Sequence, residues 1–340
     1  PLDPATDMVK IKALAESEAF APAKTGGEVR QAKAARGAYV RSVLAFVDLP
    51  VLRPMKILVN AGHGAAGPTF DALAEALSKK RAPLSFICLN HEPDGSFPNG
   101  IPNPLLPENQ PMTANAVRAA GADMGIAWDG DFDRCFLFDH LGRFIPGEYV
   151  VGLLAEVFLA KEKAATIIHD PRIIWNTQEI VTRLGGEPVM ARTGHAYLKQ
   201  ALRDTGAVYG GEMSAHHYFR DFACCDSGMI PWLLIVELMS RRGVTLADLV
   251  SQRMAAFPSS GEINFVVADA GSAVARVRAA MEPKAVALDE TDGLSLDMGD
   301  WRFSLRSSNT EPLLRLNVES RGDAGQVAQA VKTLSALIET

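Results

Sequence analysis

Between Met55 and about residue 257, short apolar runs alternate with stretches of helical spacing, and that alternation leaves few folds open. MKILVN, LSFICL, MGIAW, CFLFD, ATIIHD, EPVMA and AVYGGE each have the length and character of a strand. Between most of them lies a segment of period near 3.6; Phe70, Leu73 and Leu77, for instance, share one face of a helix. Such a pattern builds layered α/β domains whose ligand-binding side chains sit on loops at strand ends. After residue 257 the texture changes: INFVVAD, DWRFSLR and LLRLNVES flank helical segments near 272–281 and 324–338. The fold class read from this is α/β, with two tandem mixed α/β domains at 36–145 and 146–257 and a smaller α+β domain at 258–340. Residues 1–35 are the least domain-like. Met8, Ile11 and Leu14 have helical spacing, and AKTGGEVRQAKAARG reads as a charged linker. Asn176 with Glu179 has the form of a capping box, with Gly185 as the stop of that helix.

Composition removes several classes of partner. A net charge of −6 over 340 residues disfavours nucleic acid, while a local basic pocket for a small anion stays open. The longest apolar run, MIPWLLIVELM at 229–239, is broken by Pro231 and Glu237 and is shorter than the roughly 20 residues of a membrane span. No membrane partner is expected. Cys88, Cys135, Cys224 and Cys225 lack metal-ligand spacing and read as reduced thiols of a cytoplasmic protein. No secretory signal opens the chain, and its start at Pro1 suggests a polypeptide that continues upstream.

DGDFDRC at 129–135 sits between two apolar strands. Asp129, Asp131 and Asp133 alternate in a tight turn and can converge on one hard cation; Mg²⁺ takes about six oxygens and keeps places for phosphate or water. A calcium loop of the EF-hand type needs Gly and Glu where Arg134 and His140 stand. Arg134 suits an anion sharing the metal site. In GGEMSAHHYFRD, Glu212, Ser214 and His216 alternate, so an extended backbone would turn all three to one side, where carboxylate and hydroxyl suit sugar hydroxyls and the imidazole can move protons. His217 would face away and pack. RTGHAYLK opens a helix with Thr193 and Gly194 as donors to an anion and His195 beside them; on local grounds an ordinary cap by Thr193 is the preferred reading. Arg172 follows a strand in HDPRIIWN. RSSNTEP at 306–312 gathers Arg306, Ser307, Ser308, Asn309 and Thr310, a density of donors that suits a phosphate. Gly62, Gly64 and Gly67 spell the dinucleotide fingerprint, but the second strand ends at Asn90 rather than at an acid, so a packing role for these glycines is preferred.

Taken together and in this order, DGDFDR, GEMSAH and RSSNTEP, with FPNGIPNPLLPE, HDPR and RTGH, resemble the motifs of the α-D-phosphohexomutase superfamily, and within it the bacterial phosphomannomutase branch. The likeness runs from about residue 36 to the C-terminus. It implies two phosphohexomutase-type α/β domains and the smaller terminal domain, with 1–35 as the tail of a first domain and its linker. It also implies interconversion of mannose 6-phosphate and mannose 1-phosphate through a phosphoserine, for GDP-mannose synthesis. Mg²⁺ is the implied cofactor, held by Asp129, Asp131 and Asp133, with hexose 1,6-bisphosphate as intermediate or activator. The implied partner is a phosphorylated hexose, bound by a monomer or homodimer. Arg134 would lie near the moving phosphoryl group, Glu212 and Ser214 would bind the sugar, and Arg306, Ser308, Asn309 and Thr310 would grip the idle phosphate. His216 is the first candidate for proton transfer and His195 the second. Some relatives carry lysine near the position of Arg172; arginine stays charged, so an electrostatic role is implied. Ala215 stands where relatives often have glycine, and Met213, where phosphoglucosamine mutases often have glutamine, points to a neutral hexose. The family's T-x-S-H-N-P serine loop has no counterpart in this sequence, so the chain alone is expected to be inactive. The alternatives are a phosphoglucomutase or dual-specificity mutase, a phosphosugar-binding fragment without catalysis, and an NAD-dependent oxidoreductase using Gly62–Gly67.

Overall fold

The structure is a computed structural model that describes residues 2, 6–18, 20–23, 26–32, 34–307 and 313–339. Helix α1 (Asp7–Ser17) buries none of its residues. Helix α2 (Ala35–Leu44) puts Val40, Val43 and Leu44 into the main core. The first α/β unit then runs β1 (Met55–Asn60), α3 (Ala66–Lys79), β2 (Leu84–Leu89), α4 (Gln110–Ala120), β3 (Met124–Trp128), β4 (Cys135–Asp139) and β5 (Phe144–Ile145). Its strand order is β2-β1-β3-β4-β5, parallel through the first three and antiparallel at β3–β4 and β4–β5.

The second unit comprises α5 (Gly147–Lys161), β6 (Thr166–His169), α6 (Trp175–Arg183), β7 (Glu187–Met190), α7 (His195–Thr205), β8 (Tyr209–Gly211), β9 (His217–Phe219), β10 (Cys225–Asp226), α8 (Pro231–Arg242) and α9 (Leu246–Ala256). Its order, β7-β6-β8-β9-β10, repeats the first sheet strand for strand, with the same parallel and antiparallel joints. One continuous core joins the two units. The apolar run singled out in the sequence is α8, buried from Pro231 to Ser240; its Trp232 packs against Phe70 and Phe86 of the first unit, with ring centroids 6.1 and 6.0 Å apart.

The third unit is β11 (Ser259–Val266), α10 (Ala270–Met281), β12 (Ala287–Asp289), β13 (Leu294–Asp297), β14 (Trp301–Ser307), β15 (Leu313–Ser320) and α11 (Ala324–Glu339), an antiparallel sheet ordered β11-β15-β14-β13-β12. Alternation sorts its two faces. Phe303, Leu305, Leu314, Leu316 and Val318 meet α10 and α11 in a separate core. Arg302, Ser304, Arg306, Asn317 and Glu319 occupy the opposite face, and they too are buried. That polar face closes on the second unit. Glu319 accepts the backbone N–H groups of Ile174 and Trp175 at the start of α6 (2.8 and 3.1 Å) and pairs with Arg302 at 2.8 Å. Arg302 in turn donates to the carbonyls of Pro171 and Arg172.

Two local expectations fail. Asn176 lies inside α6, donating to the Glu148 carbonyl and accepting from Arg253, so it caps nothing. The capping box belongs instead to Thr245 and Asp248 at the start of α9. Five strands rather than the three runs read from the sequence build the terminal domain, because β12 and β13 are too short to show a period.

Candidate functional site

The aspartate turn joins β3 to β4, and the Glu212–His216 turn joins β8 to β9: the same loop in two sheets of the same topology. They meet. Arg134 and His216 form an antiparallel bridge, and Cys135 N–H donates to the Ala215 carbonyl at 3.3 Å. The second turn is not extended, as the sequence suggested. Glu212 and His216 close it by a backbone hydrogen bond of 2.9 Å, and Ala215 takes φ 71°. Its three predicted side chains converge nonetheless, since His216 Nδ1 lies 3.3 Å from both Glu212 Oε2 and Ser214 Oγ.

One carboxylate oxygen from each of Asp129, Asp131 and Asp133 falls within 4.8 Å of the others. Burial, and then the charges of Asp129, Asp131 and Asp226, push the Asp133 carboxyl up to about 6 against the opposing charge of His216. Arg134, turned toward the acids, donates from Nε to Asp129 Oδ2 at 2.5 Å and lies 3.9 Å from Asp133. Three oxygen ligands that repel one another and already draw in a guanidinium suit a hard divalent cation such as Mg²⁺.

His216 Nε2 lies 3.6 Å from Asp133, and His195 Nε2 lies 3.9 Å from it. The two imidazoles meet edge to face at 4.4 Å. Burial, then the neighbouring His216, holds His195 below its ordinary value. Thr193 does not cap α7; Gly194 occupies the N-cap position and donates its N–H to Glu212 Oε1 at 2.9 Å. Glu212 also accepts from the Tyr218 hydroxyl at 2.8 Å. Burial alone would raise its carboxyl, but the hydrogen bond from His216 and the charge of Arg172 outweigh it and hold the group at about 2. His217 packs, as expected, with Nδ1 2.7 Å from the Tyr209 hydroxyl.

Arg172, just past β6, is buried and bound to Asp170 at 2.7 Å. Burial opposes its charge, yet Asp170 more than offsets this and the guanidinium titrates above its ordinary value. Its Nη2 reaches Ser214 Oγ at 3.3 Å, and its Nη1 reaches Glu262 of the terminal domain at 3.4 Å. Arg306 lies 3.5 Å from the same Glu262. An unbroken series of contacts therefore runs from Asp133 through His216, Ser214, Arg172 and Glu262 to Arg306, crossing all three units. Ser308, Asn309 and Thr310 lie outside the described residues. Met213 points its sulphur at Asn317 on the domain boundary, 3.5 Å away, and its N–H donates to Asp170.

Reading the sequence overlooked Asp170, Glu262 and the Asp226–Lys199 pair. Asp226 lies 3.2 Å from His195 and 2.8 Å from Lys199. An acid two residues before Arg172 at a strand end was visible; Glu262 and Asp226 act across long separations that leave no local pattern. The three glycines of the fingerprint are packing residues. A Cβ on Gly62 would fall 2.5 Å from Pro102, on Gly64 2.6 Å from the Gly130 carbonyl, and on Gly67 2.0 Å from the His91 carbonyl. Gly64 thus lets the first turn of the domain sit against the aspartate loop, and Ala65 N–H bonds Gly130 O there at 2.9 Å.

Profiles of the phosphoglucomutase/phosphomannomutase family match the chain in three stretches: alpha/beta/alpha domain II at 37–142, alpha/beta/alpha domain III at 146–257, and the C-terminal domain at 262–336. A phosphomannomutase of Salmonella montevideo is 54% identical over 342 residues, which cover 100% of this chain and 75% of the relative. A phosphoglucomutase/phosphomannomutase family protein of Burkholderia thailandensis superposes with a TM-score of 0.82 at 30% identity, over 96% of this chain and 69% of that one. The N-acetylphosphoglucosamine mutase of Aspergillus fumigatus, solved with GlcNAc-6P and magnesium, shares the fold at TM-score 0.62 and 16% identity, over 92% of this chain and 67% of its own. With three family domains matched in order across the residues that build this site, and a relative 54% identical over the chain, the chain belongs to the phosphoglucomutase/phosphomannomutase family.

Proposed function

We propose that these residues form part of a cytoplasmic phosphomannomutase that interconverts mannose 6-phosphate and mannose 1-phosphate and feeds GDP-mannose synthesis. The observation that carries this reading is the continuous series of contacts between a carboxylate cage at one end and an arginine cluster at the other, which provides a cation site and an anion site joined by polar side chains. Magnesium at Asp129, Asp131 and Asp133 would supply positive charge to a phosphoryl group in transfer. The chain's own residues do the rest. Arg306 with Ser308, Asn309 and Thr310 grips the phosphate that is not reacting. Glu212 and Ser214 orient the sugar hydroxyls. Arg134 faces the negative charge that develops on the moving phosphoryl group. The buried, permanently charged Arg172, which shares Glu262 with Arg306, has an electrostatic role toward the phosphate at the other end. His216, turned toward Glu212, takes the proton from the attacking sugar hydroxyl as its oxygen bonds to phosphorus and the serine oxygen departs; His195, held neutral beside it, is the second acceptor.

The phosphoserine is supplied from outside these residues, since no Ser-His-Asn run occurs in the sequence. A coupled assay of mannose 1-phosphate turnover tests the reading. The product of the full reading frame is expected to be active, Asp133→Asn and Arg306→Ala each to lose roughly a hundredfold or more, and the 340-residue chain to show nothing. Turnover by the pure 340-residue chain would refute the external serine. The family covers glucomutases too, so glucose 1-phosphate belongs in the same assay as a second substrate.

A further inference from the structure

Glu262 stands where a β-bulge re-aims it. The β11–β15 register shifts between Ser259 and Glu262, and Gly261 takes φ 65°, a conformation glycine adopts without strain. Past the bulge, Ile263 and Phe265 turn into the terminal domain's core, which leaves Glu262 on the polar face against the second unit. Three guanidinium groups converge on its carboxylate: Arg172 at 3.4 Å and Arg306 at 3.5 Å on Oε2, and Arg315 at 3.6 Å on Oε1. One of these belongs to the second unit and two to the third.

The lengths are informative. A charge-assisted N–H···O bond runs to about 2.7–2.9 Å. Neighbouring pairs on the same boundary meet that standard, with Arg172–Asp170 at 2.7 Å and Arg302–Glu319 at 2.8 Å. Those on Glu262 do not. Among the described residues, the other carboxylate paired with Arg306 is Asp292, 3.8 Å away, and the buried Nε of Arg306 has no hydrogen-bond partner there. Arg306 is thus enclosed and charged, with its donors only loosely used. Burial and the charge of Arg172 both press its pKa below the ordinary value, so it gains from any stronger anion.

We propose that Glu262 is an internal placeholder for the substrate's idle phosphate: it tethers Arg172 and Arg306 across the domain boundary until a phosphate arrives, then competes with that phosphate for the same guanidinium groups. A phosphate offers three oxygens and up to two charges against one carboxylate, and a guanidinium fork fits it bidentately. Once it binds, Glu262 faces an anion of its own sign and weakens the grip. A mutase needs such a limit, because the doubly phosphorylated intermediate has to be released and turned end for end before the second transfer. The inference rests on the reading of Arg306 as the phosphate grip.

Calorimetric titration of the chain with mannose 1-phosphate, and separately with inorganic phosphate, tests it on wild type, Glu262→Gln and Arg306→Ala. The isosteric Gln keeps the shape and removes the charge. It is expected to tighten both ligands about 3- to 10-fold, or about 0.7–1.4 kcal/mol, while Arg306→Ala weakens them roughly tenfold or more. Unchanged or weaker binding by Glu262→Gln, with Arg306→Ala still damaging, overturns the placeholder alone. Unchanged affinity in Arg306→Ala overturns the phosphate grip, and no binding by any of the three proteins overturns both.

Discussion

Ala215 holds φ 71° at the crest of the Glu212–His216 turn and is almost fully buried. The left-handed region costs a residue with a Cβ about 1–2 kcal/mol. Glycine would remove that strain, but it adds about 0.5–1 kcal/mol of unfolded-chain entropy and gives up a buried methyl group worth about 0.8 kcal/mol. Ala215→Gly is therefore expected within about 0.5 kcal/mol of wild type in urea unfolding, and Ala215→Val to lose about 2 kcal/mol or more through strain and overpacking. His217 gives a pH dependence. Burial, then the charge of His216, lowers its pKa to about 3, whereas the unfolded chain titrates near about 6.5. Between those values the unfolded state binds the extra proton, so this contribution to stability is complete above about pH 6.5 and is lost as pH falls toward 3. Urea midpoints measured from pH 7.5 to 4.5 are expected to fall, and NMR of His217 is expected to show a neutral ring across that range. Asp131 belongs to this scale too. Asp131→Asn relieves repulsion among the acids, so it is expected to leave the metal-free melting temperature equal or higher. The same change is expected to erase the rise that magnesium gives wild type, a rise worth about 2.7 kcal/mol at a hundred times Kd.

At the scale of elements, the joint between β1 and α3 is the least tolerant feature. A methyl group on Gly67 would collide with the His91 carbonyl at 2.0 Å, and a backbone atom cannot swing aside. Gly67→Ala is expected to cost about 3 kcal/mol in denaturant melts, and nicotinamide fluorescence titration of the wild type is expected to show no binding. The alternation from MKILVN to AVYGGE was legible because strand and helix periods differ and each run is long enough to show one. The two- and three-residue strands β5, β9 and β10 were not, having no room for a period. Asn176 misled because tertiary partners, the Glu148 carbonyl and Arg253, claim a side chain that local pattern would give to a cap. At the site, DGDFDR and GEMSAH could be read because their chemistry is packed into a few adjacent residues. Glu262, Asp226 and the polar alternation of β14 and β15 could not, because their meaning depends on what covers them. The equivalence of the two turns also escaped notice, since it lies in strand order, which no motif records.

For the whole molecule, the question is how firmly the third unit is tied to the second. Arg302 and Glu319 are buried together at 2.8 Å, with Glu319 also on the first N–H groups of α6. Removing one partner of such a pair leaves an uncompensated charge, at a cost of about 3–5 kcal/mol. Arg302→Ala is expected to lower the melting temperature and to split calorimetric unfolding, with residues 258–340 melting first; a single unshifted transition would count against this interface as the tie. The same boundary decides what happens when the chain is cut. Two apolar surfaces parted from each other usually clump, but the face that β14 and β15 turn toward the second unit is made of guanidinium, amide, hydroxyl and carboxylate groups. Severed after Phe257, the terminal piece would show water a surface it readily wets, so residues 258–340 should remain dispersed when produced alone and should rejoin the rest on mixing, less readily as ionic strength rises.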